Sequence, residues 1–179
     1  MIITVALATA CGTEKPSNES QPPAPPASQQ APSQAGPSPD KAAPPEELRF
    51  SATTVDGKKF SGENLAGKPT VLWFWAAWCP VCERESPGVA RVARANQDKV
   101  NFLGVASLSD VPKMRQFVSD NGIGSFPNVA DTESSVWQRF GVTSQPAYAF
   151  IDADGTVDTV KGSLSEDELA SRVEQLDSP

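Results

Sequence analysis

The sequence predicts an α/β domain over residues 47–179, a mixed central sheet flanked by helices, and three observations predict it. The run Val71-Leu-Trp-Phe-Trp-Ala-Ala-Trp78 has the length and the valine and aromatic content of a strand buried on both faces. It leads directly into Cys79-Pro80-Val81-Cys82, whose proline suits the first turn of a helix, where its missing N–H would be unpaired anyway. Downstream, strand and helix patterns alternate and finish on a hairpin and a capped helix, which is the order of an α/β fold.

In chain order, Phe50–Val55 and Lys58–Phe60 flank Asp56-Gly57 and predict an N-terminal β-hairpin extension. A strand over 70–76 follows Gly67-Lys68-Pro69. A helix over 80–97 runs from Pro80 to the break at Asn96-Gln97-Asp98, and Val100–Ala106 is the next buried strand. Ser109 or Asp110 caps a helix entered by Pro112, with Met114, Phe117 and Val118 on its inner face and a stop at Asn121-Gly122. Residues 134–140 form a short helix. Ala147–Ile151 and Thr156–Val160 pair across Asp152-Ala-Asp-Gly155. The last helix opens on a capping box, Ser165 with Glu168, a Leu164–Leu169 staple, and Leu169, Val173 and Leu176 pointing inward.

Composition changes sharply near residue 47. Residues 12–46 hold ten of the seventeen prolines and almost no large apolar side chain, so they read as a disordered spacer. As a flexible coil that spacer reaches about 30–35 Å. Residues 1–11 are an apolar run ending in small residues and Cys11, and they resemble the end of a bacterial lipoprotein signal in which Cys11 carries lipid. Ala8 stands where such signals usually place Leu, with Leu7 one position back, and no Lys or Arg precedes the run. The alternative is a free N-terminus with an incidental cysteine. A transmembrane anchor needs roughly 20 apolar residues, far more than this run supplies.

The net charge is −7, and residues 1–46 carry four acids and two lysines, which leaves −5 on the domain. That balance argues against a nucleic-acid partner. The chain has no histidine, and its one cysteine besides the pair is Cys11, so a four-ligand zinc site is not supplied. A structural disulfide between cysteines two residues apart closes a tiny loop and adds little stability. A peroxidase would need a lone reactive cysteine with Thr or Ser three positions earlier, where this chain has Ala76. Dithiol–disulfide exchange is the remaining chemistry. Cys79 sits where a strand stops and a helix starts, so unpaired N–H groups and the positive end of the helix dipole stabilise its thiolate. Cys82, one turn later, can close a disulfide with it. No cofactor beyond this cysteine pair is expected.

The order of elements, with the cysteine pair after the first long strand, resembles the thioredoxin fold. Leu65–Pro87, containing Trp-Cys-Pro-Val-Cys-Glu-Arg-Glu, and Gly141–Asp152, containing Gln-Pro-Ala-Tyr, are similar to the extracytoplasmic TlpA/ResA/DsbE group. With the Pro-rich lipoprotein leader, the chain looks most like the actinobacterial DsbE/DsbF-type secreted disulfide proteins. The resemblance implies that Cys79 attacks and Cys82 resolves. It also implies that Pro146 is a cis-proline, which turns Gln145 toward an extended substrate segment, and that Glu85 helps move protons to or from Cys82. Trp78 reads as an apolar platform for substrate, and Trp73 and Trp75 as core or flank. Two alternatives stay open: Pro146 as a strand-edge proline, and Glu85 as an ordinary first-turn acid favoured by the helix dipole. Ordinary cytoplasmic thioredoxin has a buried Asp where this chain has Trp73, and Ala147 replaces the Thr common after the cis-proline.

Direction is not fixed by these residues. The helix start favours a Cys79 thiolate, whereas Glu83 and Glu85 oppose one. An export signal and the resemblance imply an oxidase that acts on exported proteins with cysteines, served by a membrane redox partner and held at the membrane by lipid on Cys11. The alternatives are an extracytoplasmic reductase of the cytochrome c maturation type and a non-catalytic lipoprotein that binds an exported partner.

Overall fold

The computed structural model describes residues 44–176. Cys11, the apolar run 1–11 and residues 12–43 of the Pro-rich segment lie outside them. Described backbone begins with a 3-10 turn at Glu46–Leu48, where Leu48 is fully buried and the Arg139 guanidinium donates to the Glu46 carbonyl at 2.9 Å.

Two short strands, β1 (Ser51–Thr53) and β2 (Lys59–Ser61), pair antiparallel as a separate hairpin. Its turn is wider than an Asp-Gly pair. The Lys58 amide donates to the Thr54 hydroxyl at 2.9 Å, and Gly57 adopts φ +89°, a region glycine enters at no steric cost. The main sheet holds β3 (Thr70–Trp75), β4 (Asn101–Ala106), β5 (Asn128–Ala130), β6 (Ala147–Ile151) and β7 (Val157–Lys161) in the order β5-β4-β3-β6-β7. The β3–β4 and β4–β5 pairs are parallel and the β3–β6 and β6–β7 pairs antiparallel, so the sheet is mixed. This is a thioredoxin-like fold.

Strand β5 is absent from the sequence reading. It has three residues, directly follows Pro127, and begins with the polar Asn128, so neither length nor alternation betrays it. Asn128 is nonetheless buried, because every polar atom of its side chain is used. Its Oδ1 accepts from the Trp75 indole at 3.2 Å, and its amide donates to the carbonyls of Ile123 and Phe126, both at 3.0 Å.

All six residues of β3 are buried, which accounts for its unbroken apolar run. Their alternation divides the core. Val71, Trp73 and Trp75 pack with α1 (Pro80–Ala95), α2 (Val111–Asp120) and α4 (Glu166–Leu176), while Leu72 and Phe74 pack with α3 (Ser135–Arg139). Helix α1 ends two residues earlier than its sequence reading, because the Asn96 side chain bonds back to the Val92 carbonyl at 2.9 Å and caps it. Asp110, not Ser109, caps α2 by accepting the Lys113 N–H at 2.9 Å. The capping box of α4 is in place: Glu168 accepts from the Ser165 amide at 2.8 Å, and the Ser165 hydroxyl accepts from the Glu168 amide at 3.3 Å. No helix among the described residues is long and apolar enough to cross a membrane.

Candidate active site

Strand β3 delivers the chain to the end of the sheet and α1 takes it away, with Cys79 as the N-cap between them. Its backbone is extended (φ −87°, ψ 110°), Pro80 follows at the first helical position, and its sulfur accepts the Cys82 N–H at 3.1 Å. Cys79 and Cys82 form a disulfide with their Cα atoms 5.3 Å apart. Cys79 keeps a small exposed fraction, 4 %, and Cys82 has none. An attacking sulfur from outside therefore meets Cys79 first.

Helix α1 carries a proline at position 87, which cannot donate to the Glu83 carbonyl. The Ser86 hydroxyl supplies the missing donor at 2.8 Å, so the first turns stay intact beneath the disulfide.

Trp78, just before Cys79, is one of two exposed large apolar side chains among the described residues; the other is Leu108. They are joined, because the Trp78 indole donates to the Leu108 carbonyl at 2.9 Å. Leu108 holds φ +57°, an uncommon conformation for a leucine, of the kind that clusters at functional sites. Nothing in the sequence marks Leu108: its conformation follows from the turn after β4, not from a glycine or asparagine.

The Gln145–Pro146 bond is cis. Strand β6 starts immediately after it, with Ala147 paired to Phe74, so Pro146 lies at the same end of the sheet from which Cys79 emerges. Pro146 is buried and its carbonyl accepts from the Gly162 amide at 3.0 Å; Gln145 is half-buried.

Glu85 is half-buried and bonded from two other elements. The Tyr148 hydroxyl on β6 donates to its Oε2 at 3.1 Å, and the Leu164 amide, just before α4, donates to its Oε1 at 2.9 Å. Burial pushes the Glu85 carboxyl above its ordinary value, although these two donors, the nearby Trp73 indole and Arg84 pull the other way. Burial and the adjacent carboxylate push the Tyr148 hydroxyl up as well, so it stays a donor. Tyr148 is not among the site residues that the sequence predicts, yet it carries one signal: the chain's single tyrosine lies in a fully buried strand, where its hydroxyl must find a partner.

The site thus offers a disulfide at a helix start, an apolar rim beside it and a half-buried carboxylate one turn below. That arrangement can exchange disulfides and move a proton.

Known proteins share this frame. The family model described as AhpC/TSA family matches residues 39–160. The soluble secreted antigen MPT53 of Mycobacterium tuberculosis is 45% identical over 136 residues, which are 74% of this chain and 78% of MPT53. Among solved structures, MTB dsbF in its mixed oxidized and reduced forms is 53% identical with a TM-score of 0.72, over 74% of this chain and 98% of that one. A secreted Mycobacterium tuberculosis disulfide oxidoreductase homologous to E. coli DsbE is 44% identical with a TM-score of 0.69, over 73% of this chain and 98% of that one. The chain belongs to the AhpC/TSA family and, within its thioredoxin-like members, is a thiol–disulfide oxidoreductase of the MPT53 and DsbF kind.

Proposed function

We propose that this protein acts outside the cytoplasm and oxidises exported proteins through Cys79-Pro-Val-Cys82. The single observation that carries the reading is Cys79 at the N-cap of α1, with an N–H directed at its sulfur. A substrate thiolate attacks the Cys79 sulfur, Cys82 leaves as a thiolate, and a mixed disulfide forms. A second substrate thiolate then attacks the substrate sulfur of that bond, and Cys79 leaves as a thiolate. A site that stabilises the departing Cys79 thiolate stabilises the reduced form, and so favours oxidation of the substrate.

In this reading Cys82 is the resolving partner, and Glu85 supplies its proton or removes it. Trp78 gives substrate an apolar platform, with Gln145 and Pro146 contacting an extended segment beside the disulfide. Cys11 carries lipid that holds the domain at the membrane, where a membrane redox partner restores the disulfide. Names of the relatives support an extracytoplasmic setting, since two are described as secreted. The competing direction, an extracytoplasmic reductase, draws on the Glu85 carboxylate and on Glu83, both within two turns of Cys79, which disfavour a thiolate.

Two assays run side by side test the proposal: refolding of reduced ribonuclease, and reduction of insulin. Refolding without insulin reduction is the expected result. Insulin reduction without refolding would establish the reductase, and neither activity would overturn the exchange reading. For the anchor, mass spectrometry of the native membrane fraction is expected to show a lipid-modified Cys11; an intact N-terminus with unmodified Cys11 contradicts it.

A further inference from the structure

Two donors bond one carboxylate on the helix that carries the cysteines, and a third, unbonded N–H lies in the same core. Trp73 on β3 and Tyr148 on β6 are register partners, so their side chains stand on one face of the sheet, in the same core cluster as Cys79 and Cys82. Tyr148 and the Leu164 amide bond the two oxygens of Glu85. The third group, the Trp73 indole N–H, is buried and has no hydrogen-bond partner among the described residues, yet it lies near enough to Glu85 to favour the charged carboxylate. A buried donor without an acceptor is uncommon in a native core and calls for a reason. Here the acceptor is beside it, already held by two other donors.

The opposite side of Glu85 meets solvent. With Arg84, Gly88, Arg91, Ser163 and Glu166 it lines an open groove of about 390 Å³ between α1 and the start of α4. Cys82, three residues before Glu85 on α1, is a neighbour on the helix surface and is fully buried. A proton leaving or reaching Cys82 therefore needs a carrier.

We propose that Tyr148 is a positioning residue for the proton step at Cys82: with the Leu164 amide it holds the Glu85 carboxylate between the buried cysteine and this groove, so that it exchanges protons with groove water, and the Trp73 N–H is a reserve donor beside it. The inference rests on the reading of Glu85 as the proton carrier of Cys82. When a substrate thiolate bonds to the Cys79 sulfur, the Cys79–Cys82 bond breaks and Cys82 leaves with the electron pair. The Glu85 carboxyl gives that thiolate its proton, and the carboxylate regains one from groove water. When Cys82 resolves a mixed disulfide the steps reverse: the Glu85 carboxylate takes the Cys82 proton, the Cys79–Cys82 bond forms, and substrate departs as a thiolate. The unfilled Trp73 N–H is a second donor to which the carboxylate can turn between these steps. The titratable and charged groups facing Glu85 are Cys82 and Arg84 on α1, Tyr148 on β6, and the Arg91–Glu166 ion pair across the groove.

The test uses the reduced protein and 5,5′-dithiobis(2-nitrobenzoate) in a stopped-flow instrument. Cys79 releases the first thionitrobenzoate, and attack by Cys82 on the mixed disulfide releases the second. The rate of the second phase is expected to show an inflection with pH that Glu85→Gln removes. Tyr148→Phe, which withdraws a donor from the charged form, is expected to move that inflection up by about one pH unit. Trp73→Phe is expected to move it the same way, and adding Tyr148→Phe to Glu85→Gln to change the profile no further. An unmoved inflection in Tyr148→Phe, or an equal shift in the Glu85→Gln background, overturns the inference while leaving Glu85 as carrier. If Glu85→Gln keeps the wild-type inflection, the reading of Glu85 fails and the inference falls with it. The wild-type protein gives a check free of folding effects. By NMR, the Trp73 indole N–H signal is expected to titrate with the same midpoint as the Glu85 carboxyl carbon, and a signal indifferent to that midpoint overturns the role of Trp73.

Discussion

Alkylation of the reduced protein tests the asymmetry between the two cysteines. The Cys82 N–H lies 3.1 Å from the Cys79 sulfur, and the start of α1 adds its dipole. A hydrogen bond to a charged acceptor contributes about 1.5–3 kcal/mol and a helix start about 0.3–2 kcal/mol, and sulfur sits at the weak end of both ranges. A total of about 2 kcal/mol raises the thiolate fraction roughly 30-fold below neutral pH. Thiolates that form more readily are weaker nucleophiles, with a Brønsted slope of about 0.4–0.5, which leaves a net gain of about fivefold over an unperturbed thiol. Cys82 has no exposed surface and lies a turn inside the helix, so its thiolate gains neither effect. The assay mixes reduced protein with limiting iodoacetamide at pH 6, quenches at intervals and quantifies the two cysteines by peptide mass spectrometry, with glutathione as the reference thiol. Cys79 is expected to react about fivefold faster than glutathione, and Cys82 more slowly than either. Faster labelling of Cys82, or a Cys79 slower than glutathione, would refute the role of the helix start.

Cys82→Ser is expected to accumulate mixed disulfides with substrate proteins on non-reducing gels, whereas Cys79→Ser forms none; similar adducts from both would contradict the division of roles. Because burial raises the Glu85 carboxyl, the folded state holds its proton more tightly than the unfolded chain, so this group's contribution is fully present below its ordinary value of 4.5 and is lost as pH rises through the folded value. Urea unfolding at several pH values is therefore expected to show wild type losing stability relative to Glu85→Gln as pH increases from about 4 upward, and a difference that grows the other way would be inconsistent. Asn128→Ala strands the Trp75 N–H and two carbonyls, at about 1–3 kcal/mol per buried group with partial relaxation. An overall loss of about 3–5 kcal/mol is expected in the same urea experiment, and a loss below about 1 kcal/mol would show that the site is wet or yields easily.

The sequence was most informative where local chemistry and burial agree. Within the apolar run 71–78, residues 71–75 form a doubly buried strand because every side chain of β3 is inside, whereas Trp78 at the end of the run is exposed; Pro80 marks the helix start because the first turn needs no N–H there. The capping box of α4 was legible for the same local reason. What the sequence left out depends on distant partners. Strand β5 exists because β4 lies beside it, and its buried Asn128 is paid for by Trp75, 53 residues away. At the site, Cys79 and Cys82 announced themselves by spacing, but the surroundings of Glu85 did not, because Tyr148 and Leu164 reach it from 63 and 79 residues along the chain. Leu108 is invisible to pattern reading, since its exposure and left-handed backbone come from the turn that brings its carbonyl to Trp78.

The reduction potential of the Cys79–Cys82 pair, measured by equilibration with glutathione buffers and read by tryptophan fluorescence, tests the proposed oxidase most directly. A site that favours the reduced form with a Cys79 thiolate is expected to have a potential above about −200 mV, in the range of proteins that donate disulfides. A value near or below about −270 mV, where thioredoxin-type reductants lie, would contradict the oxidase and leave a reductase in its place.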